Sequence, residues 1–236
     1  MRLRVRFSKQ GKVRFTSHRD LARIWERAIR RVGLPVAYSQ GFSPRPKLHF
    51  GLAIPTGAES WAEYLDIDLA PDAPPVDLAT LPVLLDGALP IGISPTAVAE
   101  VPPGTTSLQE AVGSATWSIM VTGGDIGALQ VAIDRLLAAP ELLTTRQRKG
   151  HDVTDDIRPY ILDLAVVGPR PDGLQVEAEL GTRPRGLRPS ELVVALGDPF
   201  REGRICRTHQ WMELDGARQE PLPDPAMPAP YARSRP

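Results

Sequence analysis

Residues 2–7 read Arg2-Leu3-Arg4-Val5-Arg6-Phe7, a strict alternation of basic and apolar side chains. Successive side chains of a β-strand point to opposite faces, so this run predicts a strand with one apolar and one basic face. A signal peptide needs an unbroken apolar segment, and the alternation interrupts it at every second residue, so we expect no signal peptide. We therefore expect the first element of the fold to be an amphipathic β-strand.

A helix is predicted shortly after this strand. Ser17 suits the N-cap, Asp20 follows three residues later, and Gly33 ends the helix. Its apolar face is expected to consist of Leu21, Ile24, Trp25, Ala28, Ile29 and Val32. Its other face carries Arg19, Arg23, Arg27, Arg30 and Arg31. Only Asp20 and Glu26 offset these positive charges locally. Repulsion between the arginines therefore destabilises the helix unless an anion binds to them.

The spacing of apolar residues predicts strands and helices in the order of a split βαβ unit, and this order occurs once in each half of the chain. The first half predicts strands over 48–53, 62–69 and 93–101 and a helix over 76–88. The second half predicts strands over 116–121, 157–167, 174–180 and 204–214 and helices over 126–139 and 189–196. The predicted fold class is therefore α+β, with tandem ferredoxin-like (RAMP-like) βαββαβ domains and antiparallel sheets. The domains are expected over 1–104 and 113–214, and residues 215–236 as a disordered tail.

Charge is segregated along the chain, although the formal net charge is zero. Residues 1–50 contain 13 Lys and Arg and two acidic residues, whereas residues 51–134 contain 11 acidic residues and no Lys or Arg. A basic block predicts a polyanion or an acidic protein surface as its partner. The alternative is that the basic face packs against the acidic block of the same chain.

The loop Gly41-Phe42-Ser43-Pro44-Arg45-Pro46-Lys47 is the most distinctive segment. Two prolines stiffen it, so Arg45 and Lys47 have little entropy left to lose on binding. Tyr38 and Phe42 suit stacking on unpaired bases, with burial of Phe42 in the core as an equal alternative. Basic side chains interleaved with aromatic ones favour RNA over duplex DNA, because loops and single strands expose their base faces.

The residues predicted to bind nucleic acid are Arg14, His18, Arg19, Arg23, Arg27, Arg30, Arg31, Tyr38, Phe42, Arg45 and Lys47, with Arg148 and Lys149 in a second basic loop. His18 lies at the start of the helix, where a phosphate can bind. His18 is also the candidate general acid or base of an RNA-cleaving site, and it then needs a partner such as His49 or His151. Other catalytic residues are not predicted, because Ser17 and Asp20 are explained by helix capping.

Metal, cofactor and membrane sites are not predicted. The four histidines are scattered, without a pair at ligand spacing, and a Gly-rich phosphate loop is missing from the sequence. A single cysteine, Cys206, excludes internal disulfides. The sequence has no apolar stretch near the roughly 20 residues of a membrane span, and a cytoplasmic location is expected.

Several motifs together carry a family resemblance. They are Phe7-Ser8-Lys9, Arg14-Phe15-Thr16-Ser17-His18-Arg19-Asp20-Leu21, Glu26-Arg27-Ala28, Gly33-Leu34-Pro35 and the run from Val36 to Lys47. With them the chain resembles a bacterial family of radical-SAM-associated proteins of unknown function, whose members occur alone or as the C-terminal part of radical SAM proteins. Arg19 departs from the Leu expected between the His and the Asp. The resemblance implies a radical SAM enzyme as partner, but no cluster in this chain, since the three-cysteine motif is absent.

Three hypotheses about function follow. The leading one is a non-catalytic RNA-binding accessory protein that presents tRNA or rRNA to a modifying or processing enzyme. The second is a metal-independent RNA nuclease that uses His18. The third is a module that docks on a radical SAM protein through the same surface. The tandem layout is also similar to that of RAMP-type RNA-processing proteins of CRISPR systems, which is a likeness of fold and not of function. The oligomeric state stays open.

Overall fold

The computed structural model describes residues 1–148, 150–214 and 216–223, without the side chain of Arg148. The fold is mixed α+β, with mostly antiparallel strands and few helices, as the sequence predicts. The chain forms two compact units. Their described residues are 1–56, 60–111 and 219–223 in the first unit, and 57–59, 112–148, 150–214 and 216–218 in the second.

The first unit contains four strands and three helices. They are β1 (Arg2–Lys9), α1 (His18–Arg31), β2 (Leu48–Phe50), β3 (Glu59–Asp68), α2 (Leu81–Asp86), β4 (Ile93–Val101) and α3 (Leu108–Ala111), with a 3-10 helix over Gly11–Phe15. The strands pair in the order β4-β1-β3-β2, and every pair is antiparallel. The register places Arg4 opposite Asp66 and Arg2 opposite Asp68.

The second unit contains the remaining strands and helices. They are β5 (Val112–Thr122), α4 (Ile126–Ala138), β6 (Leu143–Arg148), β7 (His151–Asp156), β8 (Ile161–Arg170), β9 (Gly173–Gly181), α5 (Pro189–Leu196), β10 (Arg201–Leu214) and β11 (Ala217–Gln219), with a 3-10 helix over Arg158–Tyr160. Its main sheet has the order β10-β5-β9-β8, and β11 pairs with β10. Strands β6 and β7 form a separate hairpin.

The apolar face of β1 packs against α1 and forms the core of the first unit. Leu3, Val5 and Phe7 are fully buried, and the ring of Phe7 meets the edge of Trp25 at a centroid distance of 4.9 Å. Helix α1 begins after Ser17, as predicted, and the Ser17 hydroxyl accepts a hydrogen bond from a backbone N–H in the first turn. The predicted strand and the predicted helix are therefore both present, each with its apolar face in the core.

The basic face of β1 is buried as well. Arg4 donates to both carboxylate oxygens of Asp66, at 2.7 and 2.9 Å, and both side chains are almost completely buried. Arg2 donates to Asp68 at 2.6 Å. Burying a charge is costly unless it is paired and hydrogen-bonded, and these contacts meet that condition. For the strand arginines, the alternative of neutralisation by acidic residues of the same chain is therefore the correct one.

Residues near the C-terminal end complete this buried face. Arg6 donates to Glu220 at 2.8 Å, and the Tyr64 hydroxyl lies 3.3 Å from the other carboxylate oxygen of Glu220. Leu222 packs against Ala62 and Tyr64. The prediction of a disordered tail is therefore wrong for residues 217–223, because an apolar residue and a carboxylate find buried partners on the sheet. Residues 215 and 224–236 of that predicted tail lie outside the described residues.

Two of the predicted elements of secondary structure differ most from those observed. The helix predicted over 76–88 is limited to α2, because the Asp77 carboxylate accepts from the Ala79 amide at 3.0 Å and from the Thr80 hydroxyl at 2.9 Å. Asp favours such local turns over a helix interior. A basic loop is predicted over 146–151, but residues 146–148 lie in β6 and His151 begins β7, and the β-branched residues of these two strands suit extended backbone. None of the helices in the described ranges is long and apolar enough to cross a membrane.

The buried pair of Arg4 and Asp66 predicts a large loss of stability on replacement of the acid. The Asp66→Ala variant leaves Arg4 buried without its partner, so we expect the free energy of unfolding to fall by about 3–5 kcal/mol. Urea denaturation followed by circular dichroism measures it. The matched control is Asp72→Ala, at an exposed position of the same unit. Equal effects of the two substitutions would contradict the assigned role of the pair.

Candidate nucleic-acid interface

The arginines of α1 lie on the face opposite the core. At about 100° per residue, Arg19, Arg23, Arg27, Arg30 and Arg31 fall within an arc of roughly 120°. All five side chains are exposed. Their row is roughly 18 Å long, at about 1.5 Å of rise per residue. The helical period that places the buried residues of α1 on the sheet therefore also collects five guanidinium groups on one exposed face.

Few contacts within the chain offset this charge. Arg23 lies 3.4 Å from Asp20, and both side chains are more than half exposed. Exposed pairs of this kind contribute about 0–1 kcal/mol, so the pair holds neither side chain firmly. Arg31 donates to the Ala88 carbonyl at 3.3 Å. Within the part of the chain that the structure describes, Arg19, Arg27 and Arg30 form no ion pair. Hence α1 retains most of its positive charge for a partner.

The position of Arg19 near the N-terminus of α1 destabilises the helix further. Cations are favourable near the C-terminus of a helix and unfavourable near its N-terminus, by about 0.3–1 kcal/mol each. Arg30 and Arg31 lie in the last turn of α1, where the helix dipole favours them. Arg19 lies in the first turn, next to Asp20, which offsets part of the penalty. The stability of the helix therefore does not explain the choice of Arg at position 19.

The loop that follows α1 is held closed at its base by backbone contacts. The Ser39 amide donates to the Arg45 carbonyl at 2.8 Å, and the Arg45 amide donates to the Ser39 hydroxyl at 3.0 Å. Next to them, the Lys47 amide donates to the Ala37 carbonyl at 2.8 Å. Arg45 and Lys47 have exposed side chains on this base, as the sequence predicts for a loop stiffened by prolines.

Phe42 lies at the tip of the loop and is fully exposed. Of the two alternatives for this residue, burial in the core is therefore wrong. Tyr38 is 50% exposed and forms an isolated antiparallel bridge with Pro46 at the base of the loop. Both predicted stacking residues thus present part or all of a ring to solvent, beside basic side chains.

One exposed aromatic side chain just before α1 was not among the residues predicted to bind nucleic acid. Phe15 is 61% exposed, and the guanidinium group of Arg14 lies over its ring, 4.6 Å from the centroid. Residues 13–15 belong to the 3-10 helix that ends at Phe15. That turn leaves Phe15 outside the core. The usable signal in the sequence was an aromatic residue beside Arg14, just before the N-cap of a basic helix.

His18 lines a small pocket in the first unit. The polar lining side chains are Lys9, Glu63 and Tyr64, and the others are apolar. The pocket has room for roughly one water molecule, so a nucleobase does not fit inside it. The ring of His18 packs edge-on against Phe50 at 5.2 Å. His18 is thus an exposed residue at the rim of a narrow pocket, with one edge of its surroundings formed by Phe50.

The histidines suggested as catalytic partners of His18 have other settings. His49 lies on β2, where its Nε2 is 3.0 Å from Asp68, and His151 lies on β7 of the second unit. A catalytic pair of His18 with either histidine stays a prediction. Among the described residues, no group of three or more His, Cys, Asp or Glu side chains is placed to hold a metal ion.

The predicted second basic patch falls on the hairpin of the second unit. Arg148 ends β6, but its side chain and the whole of Lys149 lie outside the described residues. The nearby Arg146 forms an ion pair with Asp155 at 3.0 Å. The contribution of Arg148 and Lys149 to binding stays a prediction.

These features define a mixed α+β protein that carries an exposed arginine face and a closed, aromatic-tipped basic loop on one unit. A family model described as an uncharacterized protein conserved in bacteria (DUF2344) matches residues 2–189, and the chain belongs to this family. No curated protein matches the chain. A radical SAM association is not part of the family's description.

Several solved structures are similar to the chain, and one of them matches over much of its length. It is described as the crystal structure of a Cbf5-Nop10-Gar1 complex, with 8% sequence identity and a TM-score of 0.49. The match covers 88% of this chain and 48% of the other, so the chain spans about half the length of that neighbour. A likeness at this level carries no argument about function.

Asp68 anchors both the strand and the loop. Its carboxylate contacts Arg2 at 2.6 Å and His49 at 3.0 Å. Its backbone accepts from the Ala37 amide at 2.8 Å and donates to the Lys47 carbonyl at 3.1 Å. Partial burial by itself raises the pKa of Asp68, but the hydrogen bonds from Arg2 and His49 outweigh it, so the pKa lies below its ordinary value.

This lowered pKa predicts an acid-dependent stability. A carboxylate whose pKa is lower in the folded state stabilises the fold above its unfolded pKa and loses that effect as the pH falls through the folded value. Urea denaturation of the wild type and of Asp68→Asn should therefore show a gap near pH 5 that closes toward lower pH. The control Asp72→Asn, at an exposed position, should show a smaller and flatter gap. A gap for Asp68→Asn that widens on acidification would rule out this assignment.

Proposed function

We propose that the arginine face of α1 and the loop over 39–47 bind RNA, and that the protein presents this RNA to a modifying or processing enzyme. One observation carries the proposal. The arginines of β1 are paired inside the chain, with Asp66, Asp68 and Glu220, whereas the arginines of α1 are exposed with little compensation. Acidic residues of the same chain therefore neutralise the arginines of β1. The arginines of α1 stay available to bind an external anion.

The chemistry of the exposed groups favours phosphate. A guanidinium group binds phosphate oxygens in a bidentate manner and stays charged at any physiological pH. Five of them along roughly 18 Å match a repeated anion better than a single one. Arg45 and Lys47 extend the basic surface onto a loop whose closed base reduces the entropy lost on binding. A nucleic acid backbone supplies anions in such a series.

RNA is favoured over duplex DNA by the rings beside these charges. Tyr38 and Phe42 expose aromatic faces next to Arg45. Sequence-specific and single-stranded RNA recognition relies on such faces, whereas the bases of a duplex are stacked on one another. An acidic protein surface explains the arginines but not the aromatic rings.

We also infer that both units are ferredoxin-like modules. Each has the order strand, helix, strand, strand, helix, strand when the β6–β7 hairpin and the short elements are set aside. In each sheet the first strand lies between the third and the fourth. This supports the RAMP-like layout of the sequence-based hypothesis. The layout is compatible with many activities, so the proposed function rests on the basic surface and the aromatic rings beside it.

A partner enzyme is the natural complement of this surface. The proposal assigns the chemistry to that enzyme and gives this chain the role of binding and presenting the RNA. A radical SAM enzyme is the partner that the resemblance of the motifs implies. Its reactive cluster would belong to the partner, since this chain contains one cysteine.

Removing two arginines of α1 should weaken RNA binding and its dependence on salt. Each lost contact with a single-stranded phosphate lowers the slope of log K against log salt concentration by about 0.7. We expect Arg23→Gln/Arg27→Gln to lower the slope by about 1.4 and the affinity at least about tenfold. The probe is a fluorescein-labelled RNA hairpin with single-stranded tails, followed by fluorescence anisotropy over a salt series.

The matched control is Arg170→Gln/Arg183→Gln, which removes the same charge from exposed positions of the second unit. It should leave the slope close to that of the wild type. Absence of RNA binding by the wild type at low salt, or equal losses in the two double variants, would overturn the proposal.

A further inference from the structure

We infer that the basic surface holds RNA as a single strand, with unpaired bases stacked beyond both ends of α1, on Phe15 at one end and on Phe42 at the other. The inference rests on the proposed function and adds the form of the RNA and a second stacking site. Phe15 was not among the residues predicted to bind. Phe15 is covered on one face by Arg14, whereas Phe42 lies at the tip of a closed loop.

The exposed aromatic residues are concentrated near α1. In the ranges that the structure describes, four Phe, Tyr or Trp side chains are classed as exposed, namely Phe15, Tyr38, Phe42 and Trp61. Three of the four belong to the basic segment 1–50. Scattered exposed apolar residues are common on protein surfaces, but here the rings flank an arginine helix. Their placement is the one expected for stacking platforms along a cationic track.

The two sites lie at opposite ends of the helix axis. Phe15 precedes the N-cap Ser17, whereas the loop that carries Phe42 follows the end of α1 and is anchored next to Asp68 at the end of β3. Helix α1 has 14 residues, which corresponds to a length of roughly 21 Å. A strand that reaches both rings therefore runs along the helix and passes the arginine face.

Phe15 forms half of a stacked sandwich. The guanidinium group of Arg14 covers one face of the ring at 4.6 Å, and the ring is 61% exposed. A base that stacks on the open face would cover the ring from the side opposite Arg14. Arginine over an aromatic ring adds a cation–π contribution to such stacks. Arg14 is thus assigned a positioning role here, beside any contact with phosphate.

Phe42 is presented by a loop that is ordered before binding. Contacts between Ser39 and Arg45 close the loop, and Pro44 and Pro46 restrict its backbone. The ring nevertheless contributes nothing to the core, because it is fully exposed. A stiff loop that projects an apolar ring into water loses little entropy when the ring is covered. Stacking on an unpaired base covers it.

Duplex RNA does not fit these sites. In an A-form helix the base faces are stacked on one another, and side chains meet only the backbone and the shallow groove. Rings at both ends of a straight arginine row can therefore stack only on bases that are unpaired. The surface is expected to discriminate by strandedness and to tolerate differences in sequence, since every base has a stacking face.

The test compares one oligonucleotide in two forms. A fluorescein-labelled single-stranded RNA of mixed sequence and the same strand annealed to its complement are titrated with wild-type protein at several salt concentrations. The inference expects tighter binding of the single strand. Phe42→Ala and Phe15→Ala should each weaken single-strand binding by roughly 5- to 100-fold, with the salt slope unchanged, because a stacked ring releases no counterion.

Control variants separate stacking from other causes. Ile91→Ala removes a fully exposed apolar side chain elsewhere in the first unit and should bind like the wild type. Phe42→Tyr keeps the ring and should retain binding. Because Phe15, Phe42 and Ile91 are all exposed, these substitutions should leave the thermal unfolding midpoint nearly unchanged, and that measurement verifies that each variant is folded.

The outcomes distinguish this inference from the proposed function. Equal affinity for both forms of the RNA, or a loss in Phe42→Ala no larger than in Ile91→Ala, overturns the inference and leaves RNA binding intact. Absence of any RNA binding overturns both. Poly-glutamate that competes as well as the single-stranded RNA would point to an acidic protein surface and would also count against the inference.

Discussion

The buried contact between Arg4 and Asp66 is the interaction on which the charge distribution of the first unit depends. Strand β1 is covered on both faces, so the arginines opposite its apolar side chains are stable only with acidic partners. The antiparallel register of β1 and β3 supplies Asp66 and Asp68, and Glu220 completes the row from the far end of the chain. Positive charge that is neutralised there is not available to a partner, which leaves α1 as the main basic surface.

The same sheet determines where that surface faces. Phe7 and Trp25 hold the apolar side of α1 on β1, so the arginines of the helix point away from the core. The end of β3 also anchors the following loop, because Asp68 pairs with Arg2 through its side chain and with Ala37 and Lys47 through its backbone. Helix and loop are thus fastened to neighbouring parts of one rigid scaffold, which is the arrangement expected of a preorganised binding surface.

Elements with local signals were predictable. Helix α1 was expected with its cap at Ser17 and its end at Gly33, and α5 was expected over its observed range, because caps, prolines and apolar period act within a few residues. The hairpin of β6 and β7 was missed, since its stability comes from pairing between two polar strands that have no apolar alternation. Phe15 was missed because its exposure depends on a 3-10 turn, and residues 11–15 show no distinct pattern for such a turn.

What the sequence by itself determined is the grouping of side chains on each element: alternation separates arginine from leucine on β1, and the helical period collects five arginines on α1. What only the tertiary structure decided is which of these charges stay exposed. An ion pair requires two groups within about 4 Å, and the partners of Arg4 and Arg6 lie 62 and 214 residues away along the chain. Their meeting depends on strand register and on the path of residues 219–223. No local pattern encodes either of these.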